Sequence, residues 1–344
     1  MEDRQLLQPE KLEAVVVIAE KVLAELDRIL LGRHQLHRQV MAAILARGHV
    51  LLEGLPGLGK TALVKVLGGI LSLDFSRVQF TPDLMPSDIV GAHILQDNEA
   101  GVREMVFRPG PVFTNILLAD EINRASPKTQ SALLEAMQEH AVTLLGTTRA
   151  LPQPFFVLAS QNPIDLEGTY PLPEAQLDRF LFKLHVGGLD VDVVSEIIAT
   201  RHRGETPQPK FHLSAEDLHR LFDTVDRIFI PKPVGRYIAR LVAATHPGGV
   251  ETPEEMNRYV SFGASPRAAI AIAEAARATA LLRRSPTVGF EDVAAMAVPA
   301  LNHRILLNYQ ARLDGRDTTS LVEELLHKLD ESGISLTDGV KLGS

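Results

Sequence analysis

Cysteine is absent from the 344-residue chain, which excludes disulfides, thiolate metal sites and cysteine nucleophiles and fits a reducing compartment. No apolar run approaches the roughly 18 residues that a membrane-crossing helix needs. The opening Met1-Glu2-Asp3-Arg4 lacks the basic character of a secretory leader. A soluble, cytoplasmic protein without a membrane segment is the expectation. Basic clusters are equally scarce: Arg283-Arg284 is the one adjacent Lys/Arg pair, and the formal net charge is −8. A surface that tracks nucleic acid shows as grouped Lys and Arg, so no nucleic-acid partner is expected. What the chain does have is apolar material, 45% of its residues, and a length that suggests two domains able to fold without staples.

Apolar residues from Leu12 to Leu30 recur at three- and four-residue spacing, which predicts an N-terminal amphipathic helix ending before Gly32. Short continuous apolar runs at 78–80, 116–119, 155–159 and 180–182 alternate with helical stretches. That alternation predicts an α/β fold with a parallel sheet covered on both faces. Two hairpins are expected, one pairing 91–94 with 102–107 around the turn 97–101, the other pairing 142–144 with 149–151 through Gly146. After Gly187-Gly188 the strand signals stop and helical periodicity takes over at 191–200, 215–227, 234–245, 266–284, 291–300 and 320–329. The expected division is therefore a nucleotide-binding core with its N-terminal helix at 1–187, a helical lid at 188–330 and a disordered tail at 331–344.

Residues 54–61 read GLPGLGKT between the strand-like 49–53 and a helical stretch, the arrangement of a phosphate-binding loop. Gly54, Gly57 and Gly59 allow the backbone to turn its amides toward an anion, and the following helix adds its positive end. Lys60 supplies a cation and Thr61 a magnesium-ligating hydroxyl. The apolar run 116–119 ends in Asp120-Glu121, which suit a metal-bound water and the polarisation of an attacking water, respectively. Another strand runs into Ser160-Gln161-Asn162-Pro163, and Asn162 is the candidate to sense the γ-phosphate.

GLPGLGKT, ILLADEINRA at 116–125, ASQNP at 159–163, EGTYPLPEAQLDRF at 167–180 and GASPRA at 263–268 stand in the order and spacing of one group of ATPases. Over roughly Gly32 to Tyr309 the chain resembles the MoxR family of AAA+ ATPases. The resemblance implies an AAA+ three-layer sandwich with a five-stranded parallel sheet, then an all-helical lid, with ATP or ADP and Mg2+ in the cleft. It implies a homo-oligomeric ring, commonly a hexamer. It assigns Gly54, Pro56, Gly57, Leu58, Gly59, Lys60, Thr61 and Ala62 to nucleotide binding, and Gly32 of Leu31-Gly32-Arg33 to the adenine contact. Thr61 and Asp120 fall at the metal. Glu121, Asn162 as sensor 1, Arg179 as arginine finger and Arg267 as sensor 2 fall at the catalytic positions. Protein clients, including ones with a von Willebrand factor A domain, are implied as well. The first hairpin is similar to the helix-2 insert of this clade, the second to the hairpin before the sensor-1 strand.

Two alternatives stay open, a DNA-directed motor and a nucleotide-gated binding module with little turnover. Gln96-Asp97-Asn98-Glu99 at the first hairpin turn lacks the basic charge of the former, and the intact Glu121 counts against the latter. Arg124, just past the acidic pair, is a further basic residue at a candidate subunit boundary. The i, i+3 pair His34 and His37 has no third ligand nearby in sequence, so packing or solvated histidines are expected there. Ser76, Ser160 and Ser195 lack the context of a hydrolase nucleophile.

Overall fold

The computed structural model describes residues 7–97, 103–163, 169–202 and 205–331. The chain divides into two compact units, one spanning Pro9–Asp226 and the other joining the residues before Pro9 with those from Arg227 onward. The tip of the first hairpin turn, residues 167–168 of the long motif and the tail beyond 331 lie outside the described residues.

The first unit opens with α1 (Pro9–Ile29) and α2 (His34–Leu45), then β1 (Val50–Glu53), α3 (Lys60–Leu71) and β2 (Phe75–Gln79). Next come α4 (Pro86–Val90), β3 (Gly91–Asp97), β4 (Arg103–Pro109), β5 (Ile116–Asp120) and α5 (Pro127–Glu139). It continues through β6 (Ala141–Leu144), β7 (Thr147–Ala150), β8 (Phe156–Gln161), α6 (Glu174–Leu177) and β9 (Phe182–His185), and ends with α7 (Val191–Thr200) and α8 (Ala215–Arg227). Five strands form one sheet in the order β2-β5-β8-β1-β9, with every neighbouring pair parallel. The central strands read as unbroken apolar runs because both their faces are covered: all of β5 and the first five residues of β8 are buried. Strand β2 begins three residues before the apolar run at 78–80, since an edge strand buries only Val78 and carries polar residues such as Arg77 and Gln79.

Both expected hairpins form outside this sheet. β3 pairs with β4 from Gly91↔Pro109 to Asp97↔Arg103, longer than the apolar signal, and β6 pairs with β7 from Ala141↔Ala150 to Leu144↔Thr147. The Arg149 guanidinium sits 4.0 Å from the centre of the Phe107 ring and so links the two hairpins.

The loss of strand signals after Gly188 marks the end of the sheet, while the compact unit continues to Asp226. The described residues between 188 and 226 are held there by polar bonds to α1, to α3 and to Arg47 just beyond α2. Arg201 donates to the Ile29 carbonyl at 2.5 Å, Leu213 N to the Ile70 carbonyl at 2.6 Å, and Arg47 pairs with Asp226 at 2.8 Å. Glu25 accepts from Arg28 and from the Lys210 amide, and the Arg28 guanidinium leads in holding its carboxyl down at about 2 despite burial.

The second unit contains α9 (Lys232–Ala243), α10 (Glu254–Tyr259), α11 (Pro266–Leu282), α12 (Phe290–Leu301), α13 (Tyr309–Leu313) and α14 (Thr318–Lys328). The Ala-rich face of α11 is buried, and Arg283 just beyond it bonds the buried Asp292 of α12 at 3.0 and 2.8 Å. One small addition to an otherwise helical unit is the antiparallel pair β10 (Val260–Phe262) and β11 (Leu306–Leu307), too short to leave a periodic signal. Among the described residues no helix is long and apolar enough to cross a membrane.

Candidate nucleotide-binding site

Parallel strands bring their C-terminal ends to one edge of the sheet, where open α/β folds bind ligands. β1 leaves that edge through Gly54, whose amide bonds the Gln161 carbonyl at the end of β8 at 3.2 Å. The loop closes at Gly59, which caps α3 with φ 79°. An added Cβ there would meet nothing within 4 Å, so the left-handed backbone rather than space favours glycine. Lys60 is buried, and its Nζ donates to the Gly54 carbonyl at 2.7 Å. Burial lowers its pKa, opposed by the charges of Asp120 and Glu121. A buried ammonium facing loop amides at a helix N-terminus is a receptor for phosphate groups. Thr61 follows at the first turn of α3.

The acidic pair stands one strand over from β8. Asp120 ends β5 and is buried, with Oδ1 accepting from Ser160 Oγ at 2.5 Å and Oδ2 from Arg77 Nη2 at 2.8 Å. Glu121 turns off the strand with φ 56°, and its amide donates to the same Ser160 Oγ at 2.9 Å. Its carboxylate accepts from Gln79 Nε2 at 2.8 Å and from Arg124 Nη1 at 2.9 Å. The Thr61 hydroxyl and the Asp120 carboxylate are hard oxygen donors, the type magnesium takes, so the residues present fit that ion.

Asn162 is buried one residue beyond β8. Because β8 lies between β5 and β1, Asn162 stands between the acidic pair and the phosphate loop. The structure thus gathers Gly54, Lys60, Thr61, Asp120, Glu121 and Asn162 at one edge. Arg179 is elsewhere. It follows α6 and precedes β9, and Leu181 bonds the His49 carbonyl ahead of β1 at 2.8 Å. Arg179 therefore sits, half-buried, toward the opposite end of the sheet from the phosphate loop. Arg267 is exposed in the first turn of α11, in the second unit.

Beside the phosphate loop lies a cavity of about 430 Å³, lined by Leu31, Arg33, Leu36 and Leu63 with Gly57 to Gly59 and Ala62 on one side. Leu189 and, from α7, Val194 and Ile197 form the other. Gly32 holds the chain at φ +77° against α7, where an added Cβ would come within 2.8 Å of Val193 methyls. A concave, mostly apolar pocket next to a phosphate receptor suits a nucleobase. His34 and His37 both use Nδ1 to bond Asp27, at 2.8 and 2.6 Å.

Arg77 and Gln79 carry no motif, Ser160 lies within ASQNP without an assigned role, and none of the three was expected to bond the acidic pair. Their only sequence signal is position, since Gln79 pairs with Asp120 in the sheet register and Ser160 precedes Asn162 by two residues.

A phosphate loop at the end of β1, an acidic pair at the end of the next strand but one and an appended helical unit define a AAA+ nucleotide-binding core. The family model of the ATPase family associated with various cellular activities (AAA) matches residues 49–182, and that of the AAA lid domain matches 254–325. Chaperone MoxR1 of Mycobacterium tuberculosis is 45% identical over 89% of this chain and 80% of its own length. YeaC of Bacillus subtilis is 43% identical over 89% of this chain and 92% of its own. The crystal structure of an ATPase candidate from Cytophaga hutchinsonii superposes with a TM-score of 0.85 at 40% identity, covering 93% of this chain and 97% of that one. The chain belongs to the MoxR family of AAA+ ATPases.

Proposed function

We propose that the protein is a magnesium-dependent ATPase that works as a homo-oligomeric ring, a hexamer by family resemblance, and uses ATP hydrolysis to remodel or mature partner proteins. The observation that carries this reading is the convergence of Lys60, Thr61, Asp120, Glu121 and Asn162 on adjacent strand ends beside a base-sized cavity. Lys60 and the loop amides bind the β and γ phosphates, Thr61 and Asp120 hold Mg2+, Glu121 takes the proton of the attacking water, and Asn162 orients that water. Bound Mg2+ neutralises phosphate charge. Gln79 and Arg124 both bond Glu121 Oε2, which leaves Oε1 to meet the water, and Arg77 on Asp120 Oδ2 would compete with the ion for that carboxylate.

The position of Arg179 supports a role in trans. At the far end of the sheet it lies away from its own phosphate loop, whereas a neighbour in a ring can present it to another subunit's γ-phosphate. A guanidinium so placed is worth roughly 10³ to 10⁵ in rate, about 4 to 7 kcal/mol of barrier. Arg267 is assigned to the same phosphates by resemblance. The chaperone name of the mycobacterial relative supports a protein client, and a von Willebrand factor A domain in that client is carried by family resemblance alone. The test is phosphate release from ATP by the purified protein, with Glu121→Gln as the trap. Wild type should hydrolyse ATP, and the variant should bind ATP, fail to cleave it and retain client proteins. Equal turnover by both would remove Glu121 from its role.

A further inference from the structure

We infer that His37 selects the base: its free ring nitrogen is the acceptor for the exocyclic amine of adenine. The inference rests on the reading of the site as a nucleotide pocket and adds the group that tells one purine from another.

His37 lies on α2, is wholly buried and lines the cavity beside the phosphate loop. Its Nδ1 lies 2.6 Å from Asp27 Oδ1, and the other Asp27 oxygen bonds His34 Nδ1 at 2.8 Å. A carboxylate only accepts, so the ring proton resides on Nδ1. Burial lowers the His37 pKa, with Asp27 opposing, which keeps the ring neutral with a single proton. Nε2 is then a bare lone pair, and it is buried without any hydrogen-bond partner. A buried acceptor left unpaired is costly, and native structures spend that cost where a ligand completes the bond.

Leu30, Leu31, Leu36, Leu63 and Ile197 bury a ring without distinguishing one purine from another, and of the polar lining residues Arg33 and Arg201 are engaged with the Gly187 and Ile29 carbonyls, while Thr206 can either donate or accept. At position 6 adenine carries an amine donor and guanine a carbonyl acceptor, while guanine has further donors at N1 and at position 2. An acceptor on the protein rewards the first and opposes the second. Asp27 acts as a positioning residue, because it fixes which nitrogen of His37 stays bare.

The experiment is competitive binding to the full chain of three diphosphates that need no hydrolysis correction: ADP, purine riboside 5′-diphosphate, which has hydrogen in place of the amine, and GDP. Wild type should prefer ADP over the deaminated analogue by about tenfold, and over GDP by more, as expected when a buried acceptor loses its donor. His37→Leu should bind ADP and the analogue alike, near the affinity wild type shows for the analogue. His37→Gln, whose amide oxygen can accept, should keep part of the preference. Equal wild-type affinity for ADP and the analogue, or an undiminished preference in His37→Leu, overturns the assignment. The wild-type ratio decides the matter even if a variant fails to fold. If no diphosphate binds at all, the nucleotide-site reading itself fails, an outcome distinct from equal binding.

Discussion

At the phosphate end of the cleft Lys60 already bonds the Gly54 carbonyl, Asp120 holds Ser160 and Arg77, and Glu121 holds Gln79 and Arg124. In the cavity beside that loop the wall is mostly apolar, with Arg33, Arg201 and Thr206 as its other polar side chains, and His37 Nε2 has no hydrogen-bond partner. Ligand arrival therefore means different things in the two places. On the proposed reading, phosphates and magnesium compete there with bonds already made, so a contact that replaces one of them contributes only a difference between two good bonds. The base displaces none of them and gains burial plus one new bond. The proposed function thus assigns metal and turnover to charge exchange at one end, and affinity and base choice to burial at the other.

The largest effects should come from the charged end. Lys60→Ala should abolish ATP binding in calorimetry, and tight binding by that variant would mean that the loop is not the phosphate receptor. Next in size is Arg179→Ala, expected to slow hydrolysis by roughly a thousandfold or more. Mixed with Lys60→Ala subunits, it should regain activity above the average of the two proteins, because an intact site then meets an intact Arg179. Subunit exchange is verified beforehand with labelled protein. A mixed rate equal to that average would exclude action in trans and direct attention to Arg124.

A scaffold shared by both ends predicts a smaller, pH-dependent effect. His49 precedes β1, accepts from the Val157 amide of β8 at 3.0 Å and contacts the Met137 carbonyl at 3.2 Å, and burial pushes its pKa down to about 4. The folded ring stays neutral while the unfolded one takes a proton below its ordinary value of 6.5. The His49 contribution to stability should therefore be lost as pH falls from 6.5 toward 4, by at most about 3 kcal/mol. Urea midpoints across that window should show the slope in wild type and its loss in His49→Gln. An unchanged slope would place the titration elsewhere.

The smallest effect tests partner exchange directly. Arg77→Ala frees Asp120 from a half-exposed ion pair, which is worth less than about 1 kcal/mol. The magnesium concentration that supports ATP binding should drop by about threefold. No change would mean that Arg77 leaves Asp120 at no cost.

Residues at the charged end were legible where the chemistry is local. Gly54 to Thr61 and Asp120-Glu121 are each contiguous in sequence, and each follows an apolar run that marks a central strand. Ser160, Arg77 and Gln79 were not legible, although they hold the same carboxylates, because what places them is strand order and register. At the base end Leu31-Gly32-Arg33 was assigned by resemblance, and Leu31 and Arg33 do line the cavity, but its other residues were not legible. His34 and His37 showed only helical spacing, and their partner Asp27 sits on another helix.

Composition, apolar patterning and the glycine loop by themselves determined an α/β sheet followed by helices, with a phosphate site at the end of its first strand. These follow from short-range rules, since periodicity sets which face is buried and glycine sets where the backbone can turn. Tertiary structure alone decided that residues 188–226 belong with the sheet, that Arg179 sits toward the end away from the phosphate loop, and that the proton of His37 faces Asp27. Those depend on groups far apart in the chain meeting across packed elements, and no local pattern records such a meeting.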